Sequence, residues 1–175
     1  MDIYVDATTL IALGQVGELE LLTVFDGGVS ILGGVRYEVT TEPAQSNLER
    51  LLSSDKRLVQ RAHGQYVSKA QDVLGEPEET GDVWILAAVL SHRDSNEPVA
   101  VVSDDRRVRT VARGLGATVT GTIGVVVRNV ADGELTVEEA KALVRRLDSH
   151  GLHMTGELRE KADELIDEAA EASEE

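Results

Sequence analysis

The chain has 175 residues, enough for one domain with a real core, and no cysteine, which excludes a disulfide framework and a thiolate metal site. Acids outnumber bases 32 to 17, for a formal charge of −15. The longest strictly apolar run, Val83 to Leu90, falls far short of the roughly 20 residues that span a bilayer. Met1-Asp2-Ile3 places no basic segment before an apolar stretch, so no signal peptide is expected and a cytoplasmic protein is.

The acidity has two readings. One is a protein that repels nucleic acid. The other, favoured here, is adaptation to a very salty cytoplasm such as that of a halophilic archaeon, because lysine occurs only at 56, 69, 141 and 161. At 1 M salt the Debye length is about 3 Å, so net charge then says little about RNA binding.

Residues 2–6 read as a short buried strand. Thr8 to Gly14 and Gly17 to Phe25 read as two short helices. Gly27-Gly28 breaks the chain before a strand at 29–32, and Gly33-Gly34 precedes a helical stretch carrying Val35, Glu38 and Val39. Residues 44–74 read as mostly polar helix, with a break near Ser53-Ser54-Asp55. Pro77 and Gly81 punctuate a turn, after which Thr80 or Asp82 caps a helix burying Ile85, Leu86, Val89 and Leu90.

The best strand is 99–103; a basic helix follows at 106–113, then Gly114-Leu115-Gly116 and a strand at 117–120. Val125-Val126-Val127 has strand propensity, yet Ile123, Val126, Val127 and Val130 also fit one helix face, and propensity does not decide between them. Thr136 and Glu139 have capping-box spacing ahead of a helix. A last amphipathic helix carries Leu158, Ala162, Leu165, Ile166 and Ala169, and the acidic tail after it is expected to fray. Strands alternating with helices predict a three-layer α/β/α fold around a parallel sheet. The expected division is a domain over 1–153 and a C-terminal helix with tail over 154–175.

Four acids draw attention within this layout. Asp6 closes the run Ile3-Tyr4-Val5, Glu38 follows the second strand, Asp82 opens a helix, and Asp105 ends the run from Val99. Ligands of open α/β sheets bind at the carboxyl ends of the strands. Acids gathered there, with no cation written into the same motifs, repel one another until a divalent metal sits among them. Singly, each has an ordinary reading. Asp6, Asp82 and the Asp104-Asp105 pair can be helix caps, worth about 0.3–1 kcal/mol through the helix dipole, and Glu38 can be a solvated helix residue.

Three segments carry a family resemblance: Tyr4-Val5-Asp6-Ala7-Thr8-Thr9-Leu10, Gly81-Asp82-Val83-Trp84-Ile85-Leu86, and Val101-Val102-Ser103-Asp104-Asp105. They resemble the motifs of PIN-domain nucleases. Leu115 through Val126 adds a likeness to a poorly characterised branch of VapC-like ribonuclease toxins. The resemblance spans about residues 2–153. It implies that Asp6, Glu38, Asp82 and Asp105 form an acidic quartet holding Mg²⁺ or Mn²⁺, with Thr8 and Ser103 as supporting hydroxyls. It also implies a homodimer and a small antitoxin partner.

Two departures stand out. Trp84 occupies a position where that branch tends to carry an acid, so Glu79 is the candidate for its role. The Asp104-Asp105 doublet leaves two choices for the fourth ligand, with Asp105 preferred and Asp104 second.

The chemistry is coherent in itself. Phosphodiester hydrolysis needs an activated water and neutralisation of charge developing on phosphate, and divalent metals do both. Hard carboxylate oxygens suit Mg²⁺ or Mn²⁺. Arg106, Arg107, Arg109 and Arg113 follow the fourth acid and are candidates for contacting an RNA backbone or merely for balancing charge. His63, His92, His150 and His153 are scattered and make no better site.

A metal-dependent endoribonuclease is therefore the expected function. The main alternative is a catalytically silent PIN-like binding or regulatory module whose acids only cap helices. A phosphoaspartyl enzyme of the haloacid-dehalogenase type needs an acid where Thr8 stands. A receiver domain needs paired acids after the first strand and a late strand-end lysine, and both are absent.

Overall fold

The structure is a computed structural model that describes residues 1–25, 28–54, 59–60 and 64–173, the pair 59–60 by backbone alone. Its centre is a parallel sheet of five strands in the order β3-β2-β1-β4-β5: β1 (Asp2–Val5), β2 (Gly28–Leu32), β3 (Val59–Gln60), β4 (Val99–Val102) and β5 (Thr118–Thr120). Ile3, Tyr4 and Val5 of β1 and all four residues of β4 are buried. Strands covered on both faces read as continuous apolar runs, which is why these two were plain in the sequence.

From β1 the chain builds outward to β2 and β3 on one side, then returns to place β4 and β5 on the other. The order therefore reverses between β1 and β4, and crevices of open α/β sheets form at such a switch point. Two backbone bonds carry the ladders past the strand ends. The Asp6 amide donates to the Val102 carbonyl (2.9 Å), and that of Ser103 to Thr120 (3.0 Å).

Helices cover both faces, giving the expected three-layer α/β/α arrangement. They are α1 (Ala7–Val16), α2 (Gly33–Glu38), α3 (Ala44–Ser54), α4 (Val67–Leu74), α5 (Gly81–Ser95), α6 (Arg106–Gly114), α7 (Thr122–Ala131), α8 (Val137–Ser149) and α9 (Gly156–Ser173). The second helix expected after β1 is a 3-10 turn over Leu19–Val24. The stretch expected to be helix over 44–74 is interrupted by β3; its break at Asp55, like His63, lies outside the described residues.

Thr80, not Asp82, caps α5, its hydroxyl accepting from the Val83 amide. The box at Thr136 and Glu139 is formed in full. Residues 122–131 are helical although Val125-Val126-Val127 favours strand. Buried Asn129 ties the helix to the 3-10 turn by donating to the Leu21 carbonyl (3.0 Å), and Val125, Val126 and Val130 are buried. Tertiary packing outweighs the sub-kilocalorie propensity penalty here. The C-terminal helix α9 packs on α7 and α8, burying Ala162 and Ile166. No helix among the described residues is long and apolar enough to cross a membrane.

Helices α2 and α5 approach closely because glycines allow it. A Cβ at Gly34 would collide with the Trp84 ring, reaching to within 3.0 Å of Nε1. A Cβ at Gly81 would lie 2.8 Å from Glu38 Oε2. Trp84 thus fills the space over Gly34 and fixes how α2 presents Glu38. Replacing a helical glycine by alanine ordinarily gains about 0.5–1 kcal/mol. At Gly34 the clash with a buried-edge indole outweighs that gain, and overpacking costs about 1–3 kcal/mol. Gly34→Ala is therefore expected to lower the melting temperature. Gly33→Ala, whose added Cβ meets nothing within 4 Å, is expected to leave it level or raise it. Equal melting of the two variants would remove the Gly34–Trp84 contact as the determinant.

Candidate active site

Asp6 sits at the end of β1 and is 1 % exposed. A carboxylate that deep persists only with donors around it, and three are present. The Ala7 amide donates to Oδ1 (2.6 Å); the Thr8 hydroxyl (2.8 Å) and the Ser103 hydroxyl (2.6 Å) donate to Oδ2. Ser103 Oγ in turn accepts from the Asp105 amide (3.0 Å), and Thr8 Oγ1 accepts from the Asp104 amide (3.1 Å). The two hydroxyls expected to support the site therefore stitch the end of β1 to the end of β4.

Asp105 caps α6, its Oδ1 accepting from the amides of Arg107 (2.8 Å) and Val108 (2.9 Å); no hydrogen bond from a described residue reaches Oδ2. Glu38 at the end of α2 accepts from the Gly81 amide through Oε1 (2.5 Å), so it lies across the N-terminus of α5. Asp82, in the first turn of α5, accepts no hydrogen bond from a described residue and is half-buried.

The electrostatics of Asp82 show which groups share its cleft. Burial, then the charges of Asp6, Asp105 and Glu38, push its carboxyl up from 3.8 to about 6, against a smaller opposite pull from Arg107. Acids from three other stretches of chain thus act on Asp82. Arg107, one of the arginines expected after the fourth acid, is the cation that acts on Asp82. Its guanidinium donates to the Leu74 carbonyl at the end of α4 and lies 3.9 Å from Glu76.

Asp104 is engaged elsewhere: its Oδ1 accepts from the Thr122 amide (2.9 Å) and its Oδ2 from the Thr122 hydroxyl, so it holds the start of α7, and Asp105 keeps the oxygen without a hydrogen bond from a described residue. Glu79 is exposed in the turn before α5. The arginines divide. Arg107 faces the acids, Arg109 donates to the Ser103 carbonyl (3.0 Å), and Arg106 is exposed.

A family model described as a PIN domain matches residues 2–168. The chain belongs to the PIN-domain family. Neither the curated proteins nor the solved structures returned a match. PIN domains are typically nucleases and generally use divalent metals, so nuclease-type hydrolysis is the activity the family points to. The match extends through most of α9.

How well the residues of this PIN domain fit such an ion turns on distance and on donor chemistry. Among the described residues no group of three His, Asp or Glu is close enough to hold one directly, although the acids act on Asp82 together. The two facts concern different ranges. Charges influence one another over about a Debye length of 8–10 Å, whereas ligand oxygens sit about 2.0–2.1 Å from Mg²⁺. The donor set itself fits: hard oxygens, with Asp82, Asp105 Oδ2 and Glu38 Oε2 accepting no hydrogen bond from a described residue. Mg²⁺ keeps several waters and is often held by one or two carboxylates.

Two features escaped the sequence reading. Tyr37, beside Glu38, is 83 % exposed, and nothing in a helical tyrosine foretells that. His92 is buried at the far end of α5, where Tyr4 Oη lies 3.1 Å from its Nε2 and Asp2 3.3 Å away. Burial, with Asp2 and Glu97 nearby, pushes the Tyr4 phenol up to about 12. Ten helical residues, about 15 Å, separate His92 from Asp82, so it belongs to the core and not to the acids.

Proposed function

We propose that this PIN domain is a Mg²⁺- or Mn²⁺-dependent endoribonuclease, resembling the toxin of a toxin–antitoxin pair. The observation that carries the reading is the joint action of Asp6, Asp105 and Glu38 on half-buried Asp82. Asp82 and Asp105 would hold the ion directly, with Glu38 reaching it through water and Asp6 fixing the end of β1 behind them. When bound, the metal supplies Lewis-acid polarisation of the phosphate and a water of lowered pKa. Thr8 and Ser103 keep Asp6 in one orientation. Arg107, anchored by Leu74 and Glu76, offers its guanidinium to a phosphate oxygen. Exposed Tyr37 offers a stacking face to an unpaired base, which favours single-stranded RNA. A cytoplasmic homodimer with a small antitoxin partner completes the proposal.

The test is cleavage of end-labelled single-stranded RNA, with DNA of the same sequence in parallel, at low and at molar KCl. The salt arm is needed because a charge of −15 repels a polyanion until it is screened. Cleavage is expected with Mg²⁺ or Mn²⁺, absent in EDTA and restored by adding metal back. Cleavage undiminished by EDTA sinks the metal. A second reading, a catalytically silent module, draws on the absence of three acids placed around one point among the described residues. Mn²⁺ binding by calorimetry without cleavage of either nucleic acid would select it.

A further inference from the structure

A cavity of about 500 Å³ is lined by Asp104 and Arg106, the chain neighbours of Asp105, and is walled by the start of α6, the N-terminal turn of α7, the loop 152–154 and α9. That volume is within the range of small-ligand sites. Its floor is apolar, formed by Ile123, Leu152, Met154, Leu158 and Leu165. None of the five is buried in the protein itself, and Leu158 is 47 % exposed. Its rim is cationic. Arg106 and Arg109 both line it, and Arg106 makes no side-chain hydrogen bond or ion pair among the described residues. The one acid there, Asp104, has both oxygens engaged by Thr122, which blunts its repulsion of an anion.

An apolar recess with a cationic lip suits a flat ring bearing a phosphate, and suits a protruding protein surface less well because the apolar atoms line a concavity. Arg106 also directly follows Asp105. An anion on Arg106 is therefore a chain neighbour of whatever the acids hold. Resting on the nuclease reading for its choice of ligand, we propose that this cavity takes the base of a nucleotide flanking the cleaved bond, with that nucleotide's phosphate on Arg106. The acids and the cavity then grip successive nucleotides of one strand, and the cavity walls set which base is accepted.

The test uses the full chain in EDTA, so that binding is read apart from metal and cleavage. Adenosine 5′-monophosphate, adenosine and inorganic phosphate are titrated separately while methyl resonances are followed by NMR. The monophosphate is expected to shift the methyls of Ile123, Leu152, Met154 and Leu158, and to bind at least fivefold tighter than adenosine. Phosphate alone should leave those methyls unmoved. Leu158→Glu, at the exposed mouth, should weaken the monophosphate at least fivefold, Arg106→Gln should erase its advantage over adenosine, and Asp94→Asn should bind like wild type.

Unmoved cavity methyls at millimolar monophosphate overturn the proposal. So does unchanged affinity in both cavity variants, or cavity methyls that respond only to protein dilution, which marks a dimer face. Cleavage without cavity binding sinks this inference alone. Cavity binding without cleavage sinks the nuclease reading and supports the nucleotide site.

Discussion

Asp6→Asn is expected to cut metal-dependent RNA cleavage by at least about 100-fold while the chain remains folded. Removing a group that orders the ligands of a catalytic metal costs about 10–100-fold in other proteins, and Asp6 contributes to the site twice. It supplies negative charge to the cleft, felt at Asp82, and it joins β1 to β4 through Ser103 (2.6 Å). Asparagine keeps the shape and one acceptor oxygen. The Ser103 and Thr8 hydroxyls can turn to accept from the new amide, so the stability cost is that of weakened hydrogen bonds, about 1–2 kcal/mol. A melting temperature lowered by only about 2–8 °C with cleavage lost is the expected pair of results. Asp94→Asn, exposed toward the other end of α5, serves as the control and should cleave normally. Full activity in Asp6→Asn would remove the end of β1 from the chemistry.

The acids were legible because each stands at a boundary that the sequence marks strongly. Asp6 and Asp105 follow apolar runs that only a doubly covered strand explains, and Thr80-Gly81-Asp82 announces a helix start. The sequence marks them only as strand and helix ends; that β1 and β4 flank the switch point of the strand order is a consequence of topology and not of any one residue. What stayed open in the sequence depended on contacts between distant segments. Asp104 and Asp105 are equivalent as letters; α7, arriving by way of β5, claims the first, and the N-terminus of α6 claims the second. The helix at 122–131 is decided by Asn129 reaching Leu21 and by the packing of α9. Trp84 was read as a missing acid, whereas its indole fills the gap over Gly34 and so positions Glu38. The four arginines at 106, 107, 109 and 113 read as one patch because spacing along the chain hides the direction of each side chain.

Asp82→Asn is expected to raise stability at neutral pH while abolishing cleavage, and the gain should vanish in acid. A carboxylate in the first turn of a helix is ordinarily favoured by about 0.3–1 kcal/mol, which would lower its pKa. Here burial and three neighbouring acids win, and the carboxyl is pushed up to about 6. Between about 4 and 6 the folded chain therefore keeps a proton that the unfolded chain has released. Stability falls as pH rises through that window and levels off above it. A shift of this size corresponds to about 3 kcal/mol without screening; Asp82 is half-exposed, and solvent reduces the effect to about 1 kcal/mol.

Asparagine, uncharged at every pH, escapes the penalty. Its melting temperature should exceed that of wild type by about 2–4 °C above pH 7 and match it near pH 4. Saturating Mg²⁺ or Mn²⁺ should close the gap by stabilising wild type alone, since binding to the folded state raises stability with ligand concentration. A gain equal at pH 4 and pH 8, or a variant less stable at both, would mean that Asp82 is not held against repulsion. The cleft would then have no electrostatic call for a dication.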